Sequence, residues 1–282
     1  MLKMIDNNNL KDIYNFQLGF ETPYFFKVDY ETWKKSFTED IDGEGRTMFA
    51  MLNVKAFYEN DELVGFVQYG NTAFGFDENG EISSDVSYAV IRNLYFKEGR
   101  SDVGNKLLNE AMENLGTDKK VYAFFHYFGM TCFARHGKLF EKHAHIEALL
   151  KENGFEIEHE NVYYSSSLKC EENSEVVITA NDLTKGNQQY IDFKMDENQV
   201  GGCEVHYLDK STAYLRWIYV NGDITGKGIG TKCMTALKQY LYKKGVERFD
   251  TDTALNNTVA QHYYEKTDFI REGITRSYYK EG

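Results

Sequence analysis

A chain of 282 residues is long for one compact α/β domain and ample for two, and its 42% hydrophobic content suffices for two cores. Its 44 acidic against 32 basic residues give a net charge of −12, which repels nucleic-acid phosphates and anionic lipid and favours a cationic partner. Cys132, Cys170, Cys203 and Cys233 show no CxxC or CxxH spacing, and no run approaches the roughly 18 apolar residues of a membrane span, so no disulfide framework, zinc site, metal or membrane role is expected. Met1–Asp6 lacks the apolar core of a signal peptide, and the expected location is the reducing cytoplasm.

In chain order, Met1–Asp6 reads as a short strand, Asn8–Leu18 and Tyr30–Phe37 as two helices, and Thr47–Tyr58 and Glu62–Tyr69 as a hairpin turning at Glu59-Asn60-Asp61. Val86–Phe96 reads as a third strand. It leads through Lys97–Asp102 into a helix with the apolar stripe Leu107, Leu108, Ala111, Met112 and Leu115, closed by Gly116. Val121–Tyr127 reads as a buried strand, Lys138–Asn153 as an amphipathic helix, and Phe155–Leu168 as a closing pair of strands around Glu158-His159-Glu160-Asn161.

After the polar stretch Lys169–Ser174 a similar series begins again, the pattern of an internal repeat. Val176–Ala180, Gln189–Met195, Gln199–Leu208 and Thr212–Val220 read as strands. Gly228–Lys244 reads as a helix with Ile229, Cys233, Leu237 and Leu241 on one row. Val246–Ala254, Asn257–Lys266 and Phe269–Tyr279 follow as strand, helix and strand. Only Asn181–Gly186 separates the first two of these strands, so the two helices of the first copy are missing from the second. The first unit or a partner chain, including a second copy in a homodimer, is expected to cover the sheet there.

The stretch Val220-Asn221-Gly222-Asp223-Ile224-Thr225-Gly226-Lys227-Gly228-Ile229-Gly230-Thr231 joins a predicted strand to a predicted helix. Closely spaced glycines let a backbone approach a pyrophosphate, and the unpaired N–H groups of a helix start stabilise its charge. Lys227 and Lys232 add positive charge. A plain surface turn is the bland alternative, and the strand-to-helix placement counts against it.

From about Thr212 to Tyr279 the chain resembles the core of the GNAT N-acetyltransferase superfamily, which carries Arg/Gln-x-x-Gly-x-Gly/Ala at this loop. Thr225 stands at the Arg/Gln position. Downstream, Asn257–Phe269 resembles the family's Asn-x-x-Ala-x-x-x-Tyr-x-x-x-Gly-Phe, with Asp268 in place of Gly. The resemblance implies acetyl-coenzyme A as co-substrate, bound by Val220, Thr225, Gly226, Lys227, Gly228, Ile229, Gly230, Thr231, Asn257 and Tyr264. It implies that Tyr264 protonates the departing thiolate and that the Val220 amide holds the acetyl oxygen. A phenol with an ordinary pKa near ~10 suits a thiol leaving group. For the general base, Glu204 and His206 alternate onto one strand face beside the expected cleft. Asp250, Asp252, Tyr214 and a water relay remain open alternatives.

The first unit repeats the pattern with losses. Arg100–Lys106 keeps the initial Arg and one glycine but is a residue short and carries Asp102 where phosphate would sit, and Leu150 falls where Tyr264 falls. A second coenzyme A site at Arg100 is the rival to a non-catalytic first unit. His126, Arg135, His136, His143 and His145 form a basic-aromatic stretch without the i, i+4 spacing of paired ligands, and Trp217 reads as core.

The sequence thus predicts an α/β (α+β) protein of two tandem GNAT-like domains, each a mixed, mostly antiparallel central sheet flanked by helices. Residues 1–168 form a degenerate domain, 169–174 a linker, and 175–282 a catalytic domain lacking the first two helices. The expected reaction is direct attack of a primary amine, on a cationic small molecule or peptide, on acetyl-coenzyme A. A non-catalytic acyl-coenzyme A sensor and a transferase of longer acyl groups are the alternatives.

Overall fold

The computed structural model describes residues 2–4, 9–25, 28–42, 45–116, 119–133, 137–169, 174–183, 187–222 and 227–282. The elements are β1 (Leu2–Met4), α1 (Leu10–Gln17), α2 (Tyr30–Thr38), β2 (Phe49–Glu59), β3 (Glu62–Thr72), β4 (Gly75–Phe76), β5 (Ile82–Ser83), β6 (Ala89–Phe96), α3 (Ser101–Leu115), β7 (Val121–Ala123), β8 (Leu139–Phe140), α4 (Ala144–Glu152) and β9 (Glu156–Ser167). There follow β10 (Val177–Ala180), β11 (Gln188–Met195), β12 (Asn198–Tyr207), β13 (Thr212–Val220), α5 (Ile229–Lys243), β14 (Arg248–Ala254), α6 (Thr258–Lys266) and β15 (Ile270–Lys280).

The chain divides into two compact units, Met1–Glu160 with Thr275–Gly282, and Asn161–Ile274. This differs from a cut at the polar stretch because two strands each serve both units. In the first unit Tyr278–Lys280 of β15 pair with Val121–Ala123 of β7. In the second, Asn161–Ser167 of β9 pair with Arg248–Ala254 of β14.

In the first unit β1, β2, β3 and β6 form an antiparallel run, β7 lies parallel to β6, and β15 antiparallel to β7. The β2–β3 hairpin closes on Asn60 and Asp61, both at positive φ, as a two-residue turn that matches strand twist requires. β6 is buried along its whole length because both faces of this sheet are covered. On one side Leu107, Leu108 and Ala111 of α3 are buried, with Leu107 close against Gly65. On the other, Phe66 meets Phe16 and Phe37.

In the second unit the order runs β9-β14-β13-β12-β11-β10, antiparallel except for the β13–β14 pair. Strand alternation sends Cys203, Val205, Ala213, Leu215, Phe249, Val162 and Tyr164 to one face, against Cys233, Met234, Leu237 and Leu241 of α5 and Tyr264 of α6. Burial of each such side chain stabilises by about 1.5–3 kcal/mol. Gly245 at φ 86 ends α5, as its C-terminal position demands.

Three sequence expectations need correction. Only Ala144–Glu152 of the expected helix over Lys138–Asn153 is helical, and Leu139 and Phe140 pair instead with Arg276 and Thr275. The expected strand Val121–Tyr127 ends at Ala123, since Phe124 turns to φ 53. Glu158–Asn161 is no turn but the middle of one continuous strand, β9. Polar residues look like a turn in sequence, yet Glu158 is held in place by His126 and Ser277, and Asn161 by Asp252.

Candidate active site

β13 carries the decisive local feature. Glu204 stands opposite Trp217 while Val205 stands opposite Leu215, so Arg216 is an extra residue, a β-bulge. A bulge bends its strand and increases its twist. Pairing with β14 accordingly stops at Leu215 and Thr251, and the Thr251 hydroxyl donates to the Leu215 carbonyl at 3.1 Å at that last rung. Beyond it the two parallel strands separate.

Into this gap β13 turns unpaired backbone. Gly201 faces Val220 while the Asn221 N–H donates to the Val200 carbonyl at 2.9 Å, which makes Gly201–Val220 a non-hydrogen-bonded pair. The Val220 N–H therefore points away from β12, toward the side that β14 has left. Gly201 is required at this close approach, because a Cβ there would stand 2.3 Å from the Tyr219 carbonyl oxygen.

α5 begins just past this strand. Its N-cap, Gly228, sits at φ 78 with no side-chain cap, the first turn holds no acidic residue, and a Cβ at Gly228 would meet nothing within 4 Å. Among the described residues the start of this 15-residue helix is thus open, a geometry that fits a pyrophosphate. The Tyr263 hydroxyl of α6 donates to the Gly230 carbonyl at 2.8 Å and anchors this helix start. Lys232, expected to add charge here, is paired with Glu175 at 2.6 Å. Val220, Lys227, Gly228, Ile229, Gly230 and Thr231 share the end of β13 and the start of α5, whereas Thr225 and Gly226 lie outside the described residues.

Tyr264 lies on α6 with its ring among Tyr164, Tyr263 and Phe269. Its hydroxyl meets Thr251, the residue at which β13 and β14 part. Burial pushes the phenol above its ordinary pKa, the contact with Thr251 pulls it down and the charge of Asp252 pushes it up, leaving it raised. It is therefore protonated at neutral pH. Asn257 caps α6, its side chain accepting from the Ala260 N–H at 3.1 Å. Asp268, in place of the family glycine, adopts φ 63. That left-handed turn explains why glycine is usual there and why a short polar side chain can replace it.

The opposite face of the sheet is polar. His206, Tyr214 and Asp250 stand in one cross-strand row, and Tyr190, Glu204 and Trp217 in the next. Glu204 meets His206 Nε2 at 2.6 Å and accepts from the Trp217 indole at 2.8 Å. Burial pushes its carboxyl up, but His206, Arg216 and the indole together hold it below the usual carboxylate value. Asp250 is the reverse case: burial pushes it up and outweighs Arg248 and Tyr163. Asp252 accepts from Tyr214 at 2.7 Å and from Asn161. Trp217, expected in the core, is 38% exposed. Burial pushes the Cys233 thiol to about 11, so it is no nucleophile.

The corresponding place in the first unit is closed. β6 and β7 part after Ile91 and Ala123, but the next residue, Arg92, is buried and paired with Asp40 at 2.8 Å, and Asn93 is held by Gln68 and Met130. Arg100 is bound by Asp102 at 2.9 Å and Glu59 at 2.7 Å. Leu150 is fully buried.

Residues 155–269 match the acetyltransferase (GNAT) family. This segment of the chain is a GNAT-family domain. It is an acyltransferase by family, and the family binds acetyl-coenzyme A as co-substrate and acts on amines. Over its whole length the fold is similar to that of a tandem GNAT protein from the clavulanic acid biosynthesis pathway, with a TM-score of 0.65 at 11% identity over 100% of this chain and 98% of the other. It is also similar to a GCN5-related N-acetyltransferase from Sphaerobacter thermophilus, with a TM-score of 0.60, 11% identity and 100% and 95% coverage. A GNAT-family acetyltransferase from Colwellia psychrerythraea gives 0.53, 16% and 100% of both chains. No curated protein sequence matches. Among the described residues no helix is long and apolar enough to cross a membrane, and no group of three or more His, Cys, Asp or Glu side chains could hold a metal.

Tyr263, Thr251 and the bulge at Arg216 are the features that sequence reading missed. A bulge is invisible until two strands are put in register, and Tyr263 differs from its neighbour Tyr264 only in where the helix points it.

Proposed function

We propose that residues 161–274 transfer an acetyl group from acetyl-coenzyme A to a primary amine by direct attack, and that the first unit has lost catalysis and serves as a structural partner. The observation that carries this reading is the separation of β13 from β14 with the Val220 N–H turned into it and the Tyr264 hydroxyl at its inner end. Bound acetyl-coenzyme A would supply the thioester. Gly228–Thr231 would hold its pyrophosphate at the start of α5, with Lys227 and Asn257 beside the rest of the coenzyme.

The Val220 N–H would donate to the carbonyl oxygen as negative charge develops there, a donor fixed in advance by the sheet. His206, oriented at Nε2 by the Glu204 carboxylate, would take the proton of the attacking amine, and Tyr264 would give its proton to the sulfur as the C–S bond breaks. The products are an amide and a free thiol. Release of free thiol from acetyl-coenzyme A over a panel of primary amines tests the reading. Release that depends on the amine and falls in Tyr264→Phe supports it; no release on any amine favours a non-catalytic acyl-coenzyme A sensor.

A further inference from the structure

The outer face of the second unit's sheet forms a grid of three strands. Tyr190, Glu204 and Trp217 make one cross-strand row, and Asp192, Gly202 and Tyr219 the next. Tyr190, Trp217 and Tyr219 are 44%, 38% and 46% exposed, in a chain that buries most of its large aromatic side chains. Their rings follow one another at 6.3 Å and 5.9 Å between centroids.

Nothing about this row suggests chance exposure. The Trp217 ring is fixed by its indole N–H on Glu204 at 2.8 Å. The Tyr219 ring lies over Gly202, where a Cβ would come within 3.1 Å of it. Its hydroxyl meets Gln199, which also donates to Asp192 at 2.8 Å. Two of the three rings are thus fixed beside two carboxylates, Glu204 and Asp192, with Arg216 as a nearby opposite charge, 4.0 Å from Glu204.

We infer that this aromatic row is the seat of a second positive group on the acceptor, so that the acceptor is a primary amine carrying a distal ammonium or guanidinium. The inference rests on the proposed transferase reading. Ring faces and carboxylates both attract a cation, whereas a neutral aromatic ligand would gain from the rings alone. Trp217 and Tyr219 alternate along β13 with Ile218 and Val220, which places the seat one to three residues, on the order of 3–10 Å, along the strand from the Val220 amide. A linear diamine can span that distance, with one end on the rings and the other in the gap.

The test compares 1,3-diaminopropane, 1,4-diaminobutane and 1,5-diaminopentane with n-alkyl monoamines of matched length at low salt, in wild type, Tyr190→Leu, Trp217→Leu and Trp217→Phe. We expect kcat/KM for the best diamine to exceed that of its monoamine by about tenfold, a ratio that falls to about 1–2 in either Leu variant and is largely kept in Trp217→Phe. Tyr190 is half-exposed, so its variant probes the seat even if Trp217→Leu fails to fold. A binding titration without acetyl-coenzyme A follows tryptophan fluorescence, since Trp33 is buried and Trp217 is exposed.

Transfer to amines with equal kcat/KM for diamines and monoamines overturns the inference and leaves the transferase reading standing. Saturable, diamine-selective quenching without any transfer overturns the transferase reading and, with it, the acceptor, leaving the row as a diamine-binding seat alone. Neither transfer nor quenching overturns both.

Discussion

The Phe269 N–H donates to the Tyr264 carbonyl at 3.0 Å, closing α6 across the left-handed Asp268, φ 63. The first unit builds the same closure from other residues: the Phe155 N–H donates to the Leu150 carbonyl at 3.0 Å across Gly154, φ 80. The helix end that presents the catalytic candidate is therefore repeated even where the phenol is lost.

Asp268→Gly should stabilise the protein by about 0.5–1 kcal/mol, since glycine adopts this backbone without steric cost. Gly154→Ala should destabilise by about 1 kcal/mol; a Cβ there finds only Lys280 at 3.7 Å, so the cost is conformational. Urea unfolding of the two variants checks both signs, and equal effects would refute the comparison.

Tyr264→Phe should lower kcat for thiol release by about 10–100-fold while changing the KM for acetyl-coenzyme A little. The ring contacts with Tyr164 and Phe269 remain in the variant. Because the phenol is raised above its ordinary pKa, an alkaline decline in kcat caused by its ionisation should lie above about pH 10. A decline near pH 8 in wild type that is absent from the variant would contradict this environment.

Glu204 is held below its ordinary carboxylate value of 4.5. The stability it contributes is therefore complete above that value and is lost as pH falls through its lowered folded-state pKa. Wild type should lose stability in that acid range more steeply than Glu204→Gln, measured as the denaturation midpoint at pH 3–6. At neutral pH the same variant should slow transfer, because His206 loses its ionic partner at Nε2.

Removing Arg92 strands Asp40, whose carboxyl is 1% exposed. Arg92→Met should cost about 3–5 kcal/mol, and the Asp40→Asn/Arg92→Met double variant should recover part of that loss. Thermal unfolding of the four proteins gives the cycle. A loss equal to the sum of the single changes would show that the two side chains do not interact.

Arg100→Ala should leave thiol release within about twofold of wild type, because Glu59 and Asp102 already bind the guanidinium. A large rise in the KM for acetyl-coenzyme A would instead support a second coenzyme site in the first unit.

Periodicity made the regular elements legible. The stripe on α3, the row on α5 and the strands β11 to β13 follow from spacing alone, because each has one face to bury. Lys138–Asn153 misled because Leu139 and Phe140 meet an apolar surface as a strand as readily as in a helix. At the site, the Gly228 turn was marked by its glycine spacing between a strand and a helix, whereas Tyr264 was singled out through the family resemblance of Asn257–Phe269. The partners of Glu204 were not: His206 lies two residues away, but Trp217 becomes its neighbour only once β12 and β13 are aligned around the bulge.

The sharing of β15 has a consequence for biosynthesis. β7 gains its antiparallel neighbour only from Tyr278–Lys280, so the first unit to be translated is the last to be completed. Until residue 280 leaves the ribosome, its open strand edge is exposed to incorrect pairing. Chaperone dependence during synthesis should track the distance between translation of Ala123 and translation of Lys280, which makes insertions between the two units costly to yield without altering either finished core.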